Sequence, residues 1–274
     1  MLDAAVKGRY GVPAVVVYNL EGIVATVRAA EAKRSPAMLL LFPWAQTYSH
    51  TLLAAACHQA CRTAKAPITL HLDHAQSPKA IKEAADMGFY DSIMIDMSHY
   101  EKEENLALTK DLTAYCHQRG IATEAEPGRI EGGEDGISDT ADLAGLLTSP
   151  EEAEEFVDTG IDWLAPAFGN VHGNYGARGI ILEYDRLEAI NNKVGKKVRL
   201  VLHGTDGFDK AVFKQCIDYG ISKVNINKAV NRAYTEMQKQ GEYPITQLME
   251  KGTEEMQRLI EKCMDDLGST GKAK

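Results

Sequence analysis

The octapeptide Ile68-Thr69-Leu70-His71-Leu72-Asp73-His74-Ala75 is an apolar run that ends in a carboxylate and an imidazole. Such a run predicts a strand whose last residues enter a polar site. Because side chains alternate along a strand, Asp73 and His74 can serve one site only if the strand ends at about Asp73 and His74 belongs to the following loop. Two further histidines, His172 and His203, also follow apolar runs, so whether the three imidazoles meet decides the function.

Short apolar runs of this kind alternate with longer amphipathic segments along the chain. The predicted strands are Val12–Asn19, Ala37–Phe42, Ile68–Asp73, Ser92–Met97, Ala122–Glu126, Trp163–Phe168, Val198–His203 and Lys223–Asn227. The predicted helices between them are Leu20–Arg34, Tyr48–Lys65, Pro78–Met87, Glu103–Arg119, Pro150–Thr159, Asp185–Lys193 and Phe208–Tyr219. Eight strand–helix units in about 230 residues predict an α/β fold, the (β/α)8 TIM barrel. A doubly wound open sheet is the alternative, but Tyr18-Asn19-Leu20-Glu21 is not its glycine-rich phosphate loop.

Two segments break the alternation. The glycine-rich and acidic stretch Gly128–Ser149 predicts a long loop without secondary structure, and such loops are often lids. The stretch Val230–Leu267 predicts extra C-terminal helices. Its apolar residues are spaced for burial, namely Tyr234, Met237, Ile245, Leu248, Met249, Met256, Ile260 and Met264. We expect residues 1–274 to form a single domain of this barrel type.

Composition narrows the function without naming it. The formal net charge of −9 argues against a nucleic-acid partner, because phosphate backbones are bound by basic surfaces. The five cysteines are scattered and form no metal or disulfide pattern, which indicates a reducing compartment and therefore the cytoplasm. No signal peptide and no apolar run long enough to cross a bilayer is present, so we expect no membrane partner.

Polar side chains follow the predicted strands at their C-terminal ends, where a barrel carries its active face. They are Asp73, His74, Glu124, Glu126, Asn170, His172, His203, Asn225 and Asn227. Three imidazoles on one rim could bind zinc, which leaves a fourth position open in catalytic sites. The alternative, that each histidine is a hydrogen-bonded packing residue, stays open at this point. We expect Glu124 and Glu126 to accept imidazole N–H bonds, and His99 to lie behind the ligands on the same rim.

Five sequence motifs resemble those of one family, the class II, zinc-dependent ketose-bisphosphate aldolases. They are His71-Leu72-Asp73-His74, Met94 to His99, Glu124 to Gly128, Gly169-Asn170-Val171-His172-Gly173 and Val201-Leu202-His203-Gly204. The resemblance covers nearly the whole chain, from Tyr10 to Asn225.

The resemblance implies an aldolase that cleaves a ketose bisphosphate such as fructose 1,6-bisphosphate. It implies that His74, His172 and His203 hold one zinc ion per subunit. Asp73 would then move the proton of the substrate's C4 hydroxyl, and Glu134 would take a proton from the three-carbon donor. A metal is consistent with this chemistry, because it stabilises the negative charge that develops beside the ketone. We expect a sugar phosphate as the partner and a homodimer or homotetramer as the assembly. A monovalent cation beside the substrate is left open.

The expected substrate contacts are Asn19, Gly173, Gly204, Thr205, Asp206, Asn225, Asn227 and Lys228. The chain departs from the family pattern at Val15-Val16 and Phe42-Pro43-Trp44, which predict a more apolar mouth. Thr205-Asp206 stands where a serine normally binds the donor phosphate. Asp206 would repel a phosphate unless it pairs with Lys228. Otherwise Lys228 alone could bind phosphate, or both could face solvent.

Other functions stay open beside this one, the first of them because of the departures. They are an aldolase for a less phosphorylated ketose or keto acid, a non-catalytic barrel that binds a sugar phosphate or a protein, and a metal-dependent hydrolase.

Overall fold

Eight parallel strands close into a barrel in the computed structural model, which describes residues 1–134, 137–138, 145–239, 241 and 243–273. The backbone alone is described for Glu134 and for residues 137–138. The order of the barrel strands is β1-β11-β10-β8-β5-β4-β3-β2. A smaller sheet, β7-β6-β9, lies outside the barrel. Closure of the barrel confirms the predicted (β/α)8 fold and excludes the open doubly wound sheet.

The strands are β1 Val12–Val16, β2 Ala37–Leu41, β3 Ile68–Ala75, β4 Ser92–Ile95, β5 Ala122–Ala125, β6 Glu131–Glu134, β7 Ile137–Ser138, β8 Trp163–Leu164, β9 Val171–His172, β10 Arg199–Leu202 and β11 Ile221–Ile226. The helices are α1 Leu2–Gly8, α2 Leu20–Lys33, α3 Pro43–Ser49, α4 Leu52–Thr63, α5 Pro78–Met87, α6 Lys102–His117, α7 Pro150–Val157, α8 Tyr184–Val194, α9 Lys210–Asp218, α10 Lys228–Lys239 and α11 Ile245–Asp266. A 3-10 turn spans Gly176–Arg178. Each of the eight predicted strands is a barrel strand, with ends that differ by a few residues.

Strand β3 corrects the prediction that its end lies at about Asp73. The strand runs on to Ala75 and includes His74. Its register against β4 shifts between Leu72 and Ala75, and His74 has a φ of 46°. Such a bulge breaks the alternation of side chains. Asp73 and His74 therefore serve one site from within the strand, without the strand having to end between them.

Three other predictions were wrong. The single helix Tyr48–Lys65 is divided into α3 and α4, because His50 has a φ of 52° and ends the first of them. The stretch Gly128–Ser149 was predicted to lack secondary structure, yet it contains β6 and β7; its residues Asp135, Gly136 and Asp139 lie outside the described residues. In the C-terminal helices Ile245 and Met249 were predicted to be buried, but they are 74% and 38% exposed.

The barrel interior has an apolar lower half and a polar upper end. Leu2 and Ala5 of α1, a helix that the sequence analysis missed, pack with Val12, Ala14 and Met38 inside the barrel. Outside, α11 packs on α2 and buries Met256, Ile260 and Met264. None of the described helices is long and apolar enough to span a membrane. The polar end of the barrel interior is the carboxyl end of the strands, where the buried residues His74, Asn225 and His203 lie.

Candidate metal and reaction centre

Three histidines converge at the carboxyl end of the barrel. His74 comes from the bulge in β3, His172 from β9 and His203 from the residue after β10. All three are at most 3% exposed. His203 Nδ1 lies 3.0 Å from His74 Nε2 and 3.3 Å from His172 Nε2. The structure therefore brings together the three imidazoles that the sequence analysis proposed as ligands.

Two buried carboxylates fix the tautomers of two of these rings. His74 Nδ1 lies 2.8 Å from Asp96 Oδ2, and His203 Nε2 lies 2.9 Å from Glu124 Oε1. Burial alone would raise the pKa of both carboxyl groups, but the His74 hydrogen bond lowers that of Asp96 to about 2. Lys223 and His203 lower that of Glu124 to about 2. Because both carboxylates are ionised, each ring must donate to its carboxylate.

The opposite nitrogens of these rings, His74 Nε2 and His203 Nδ1, then face each other with lone pairs. Two lone pairs 3.0 Å apart repel unless a cation lies between them. Nitrogens bound to one tetrahedral zinc at about 2.0–2.1 Å lie about 3.3 Å apart, which matches this spacing. Burial lowers the pKa of His172 well below the usual 6.5 and also lowers that of His203. Neutral imidazoles are the form that binds metals, so the three residues fit a metal ion.

A second polar layer lies directly below, inside the barrel. The fully buried Lys223 Nζ lies 2.8 Å from Glu124 Oε2 and 3.9 Å from Asp73 Oδ1. Asn225 Nδ2 donates to Asp73 Oδ2 at 2.8 Å, and His71 Nε2 lies 3.3 Å from Asp73 Oδ1. The ligand atoms of His71, Asp73 and Glu124 are close enough to hold a metal, but the Lys223 ammonium already supplies a cation there. This layer is therefore an ion network that supports the histidines.

Asp73 is the carboxylate that reaches from this network into the reaction chamber. Burial raises its pKa, but Lys223 and the neighbouring histidines outweigh burial and hold the pKa well below its usual value. The chamber is small, about 10 Å³. Its walls are formed by Val16, Phe42, Asp73, His74, His172, Gly204, Thr205, Asp206, Asn225 and Asn227. An ionised Asp73 faces this space and can accept a proton there.

The mouth of the chamber has an apolar side, as the sequence departures predicted. Val16 and Phe42 line it. The Phe42 ring lies 6.0 Å from the His74 ring and stacks on Trp44 at 4.3 Å. Phe42 therefore covers one side of the His74 ring, and Trp44 packs behind Phe42.

The loop after β5 is joined to His172, one of the predicted ligands, by backbone pairing. Glu131 pairs with Val171 and Gly132 with His172 in a short parallel ladder. Gly132 has a φ of 105°, and a Cβ there would lie 2.1 Å from the His172 carbonyl oxygen, so only glycine fits. Glu134 is the last residue of β6, and its side chain lies outside the described residues. The backbone thus brings the segment that carries Glu134 to the metal site.

The rim opposite the apolar flank carries one ion pair. Lys228 Nζ lies 3.2 Å from Asp206 Oδ2, with side chains 44% and 22% exposed. Burial raises the pKa of Asp206 despite the Lys228 charge. The two residues therefore pair, which is one of the arrangements that the sequence left open. Thr205 Oγ1 donates to the Asn225 carbonyl at 2.6 Å, and Asn227 Nδ2 lies 3.3 Å from the Tyr18 hydroxyl.

Three other predicted site residues have contacts of their own in the described structure. Asn19 caps α2, accepting a bond from the Gly22 amide at 2.9 Å, and it is absent from the chamber walls formed by described residues. Glu126 Oε1 accepts a bond from the Ile130 amide at 2.8 Å. The His99 ring lies 4.3 Å from the Tyr100 ring, whereas Asp96 is the residue bonded to His74.

The roles of Asp96 and Lys223 were not predicted from the sequence. Asp96 stands two residues before Ser98, whose hydroxyl donates to Asp96 Oδ1 at 2.6 Å. Lys223 stands inside a predicted buried strand, where an unexplained charge is itself a signal of a buried partner. That signal could have identified Lys223.

Comparisons with known proteins agree on one family. Residues 1–272 match the family described as Fructose-bisphosphate aldolase class-II. The chain is 34% identical over 286 residues to a fructose-bisphosphate aldolase of Geobacillus stearothermophilus, covering 100% of this chain and 96% of that protein. A crystal structure of a provisionally named fructose-1,6-bisphosphate aldolase from Coccidioides immitis superposes with a TM-score of 0.97 at 61% identity, covering 99% and 96% of the two chains. The YdjI aldolase from Escherichia coli K12 gives 0.87 at 28% identity, covering 100% and 97%.

Proposed function

The chain belongs to the class-II fructose-bisphosphate aldolase family, and from this premise we propose that it cleaves fructose 1,6-bisphosphate to dihydroxyacetone phosphate and an aldehyde with the help of zinc. The chain is accordingly a lyase of the aldolase type. Family membership does not favour the alternatives of a non-catalytic barrel, a hydrolase or an aldolase for less phosphorylated substrates. The observation that carries the proposal is the convergence of three buried histidines beside an ionised Asp73.

His74, His172 and His203 would hold the zinc ion. When bound, zinc supplies a Lewis acid that stabilises negative charge on the substrate's oxygens. Asp96 and Glu124 accept the outer N–H bonds of His74 and His203, which keeps the metal-facing nitrogens unprotonated. The residues of the chain therefore prepare the site before an ion or substrate enters.

Asp73 would act as the base for the C4 hydroxyl of the substrate. Asn225 and Lys223 hold its carboxylate ionised and oriented, so it can accept the hydroxyl proton as the carbon–carbon bond breaks. Glu134, at the end of β6, would exchange the proton at the donor carbon. Residues Gly173, Gly204, Thr205, Asn225 and Asn227 would contact the substrate around this centre. The rim residues Asp206 and Lys228 would border its phosphate.

A cleavage assay with fructose 1,6-bisphosphate tests this proposal, run before and after complete chelation and after zinc is restored. We expect activity to be lost and regained with the metal. Asp73→Asn should lower kcat by roughly 100- to 10,000-fold while zinc content stays unchanged, because a general base is removed. Asp111→Asn, on the exposed face of α6, is the matched control. Undiminished cleavage by the metal-free protein would refute the proposal.

The remaining features stay proposals of the same kind. We propose one domain over residues 1–274, a cytoplasmic location, one zinc per subunit and a homodimer or homotetramer. Light scattering during size-exclusion chromatography measures the assembly, and metal analysis of the same peak measures the zinc stoichiometry.

A further inference from the structure

An outer cavity of about 730 Å³ opens beyond the Asp206–Lys228 ion pair. One wall is formed by Lys228, Arg232 and Glu236 of α10, and the other by residues 173–175. Asp206 lines both this cavity and the reaction chamber. Gly173, the residue after the proposed ligand His172, also lines the outer cavity. A substrate bound in the chamber can therefore extend into it.

The charges along this cavity are unevenly neutralised. Lys228 is paired with Asp206 at 3.2 Å, and Glu236 is paired with Lys239 at 2.9 Å. Among the described residues, Arg232 forms no ion pair within 4.0 Å. It lies on α10 four residues after Lys228 and four residues before Glu236, which each belong to one of these pairs. Lys239 and, more weakly, the charge of Arg232 lower the pKa of Glu236. No carboxylate in the described part of the chain, however, lies within ion-pair distance of the Arg232 guanidinium, which leaves the guanidinium open to a ligand.

Position and chemistry both suit Arg232 to an anionic end group. It follows Lys228 by four residues, so the two lie on one face of α10, about 6 Å apart along the axis. A guanidinium presents a planar fork that binds phosphate oxygens in pairs, whereas an ammonium acts as a point charge. The Asp206 carboxylate lies where the outer cavity meets the reaction chamber and repels a phosphate dianion there. A phosphate is therefore bound more favourably further from Asp206, toward Arg232.

We infer that Arg232 determines specificity by binding the phosphate group of the substrate's donor half in the outer cavity, with the charge of Lys228 balanced by Asp206. The inference rests on the proposed aldolase function. The assignment of the phosphate-binding cation goes beyond that function.

Two measurements on Arg232→Met test it, with Lys214→Met on α9 as the control for losing one exposed positive charge. The first is the thermal shift produced by inorganic phosphate, which requires no catalysis. We expect phosphate to raise the Tm of the wild type and of the control, and to leave that of Arg232→Met unchanged. The second is the cleavage of fructose 1,6-bisphosphate, in which KM should rise roughly 10- to 100-fold because a charge-assisted contact is lost. The value of kcat should change less than about threefold.

The possible results separate the two proposals. Absence of cleavage by the wild type refutes the aldolase proposal, while the thermal shift still tests Arg232. Equal phosphate-induced shifts in wild type and Arg232→Met overturn the inference, and so does the absence of any shift in the wild type. Arg232→Lys should restore part of the shift, since it keeps the charge and loses the fork. Full loss in Lys214→Met as well would show a non-specific charge effect and would also overturn it.

Discussion

The candidate metal and reaction centre differs from the outer rim in how deeply its charged groups are buried and in how many partners hold them. At the centre each functional group is buried and held by at least one charged or hydrogen-bonded partner, as with His74 on Asp96 and His203 on Glu124. At the rim a single partly exposed pair, Asp206 and Lys228, holds the position. Removing one partner of a buried ion pair leaves the other charge buried and unpaired, which is strongly destabilising. Exposed ion pairs contribute little to stability. The buried charged network is therefore expected to tolerate substitution less well than the ion pair at the rim.

The largest expected effect comes from breaking the buried network at Lys223. Lys223→Met leaves Glu124 and Asp73 charged inside the barrel without their ammonium partner. We expect a loss of about 3–5 kcal/mol in the free energy of unfolding, measured by urea denaturation of the metal-free protein. Lys262→Met, on the exposed face of α11, should change it by less than about 0.5 kcal/mol. A loss below about 1 kcal/mol for Lys223→Met would show that the network is not held by this charge.

An intermediate effect is expected on the pH dependence of zinc retention. Burial lowers the pKa of His172 and His203 below the usual 6.5, so both rings stay neutral at pH values where exposed histidines are protonated. Protons should therefore compete with zinc only below pH 6.5. As the pH falls, the unfolded chain takes up these protons first, so acidification should also destabilise the metal-free protein.

Zinc content after dialysis at stepwise lower pH, with circular dichroism at each step, measures this. A release midpoint at or above pH 6.5 in folded protein would contradict the lowered pKa values.

The smallest effect is expected at the rim. Lys228→Met removes an ion pair that is 44% exposed on the lysine side, so the free energy of unfolding should fall by less than about 1 kcal/mol. Zinc content should stay unchanged, because Lys228 contacts none of the three histidines among the described pairs. Urea denaturation and metal analysis check both points. If Lys228→Met lowered the free energy of unfolding as much as Lys223→Met, the rim would contribute as much to stability as the buried network, and the comparison of the two regions would be wrong.

The fold was predictable because parallel barrel strands are buried on both faces and appear as short apolar runs. The convergence of the three histidines was predictable because each follows an apolar run at the carboxyl end of a barrel strand. The bulge in β3 could not be predicted from the sequence. It depends on how β3 pairs with β4, and no residue type at this position indicates the positive φ of His74. The strands in Gly128–Ser149 were missed for a related reason. Glycine-rich sequences have low strand propensity, and β6 forms through backbone pairing with His172.

The ladder between β6 and β9 joins the loop after β5 to His172, a proposed metal ligand, through backbone hydrogen bonds. Gly132 pairs with His172, so β6 cannot move away without removing backbone hydrogen bonds that support this proposed metal ligand. Glu134 lies two residues further along the same strand. The positions of Glu134, the proposed proton-transfer residue, and of His172, a proposed zinc ligand, are therefore coupled through one backbone ladder.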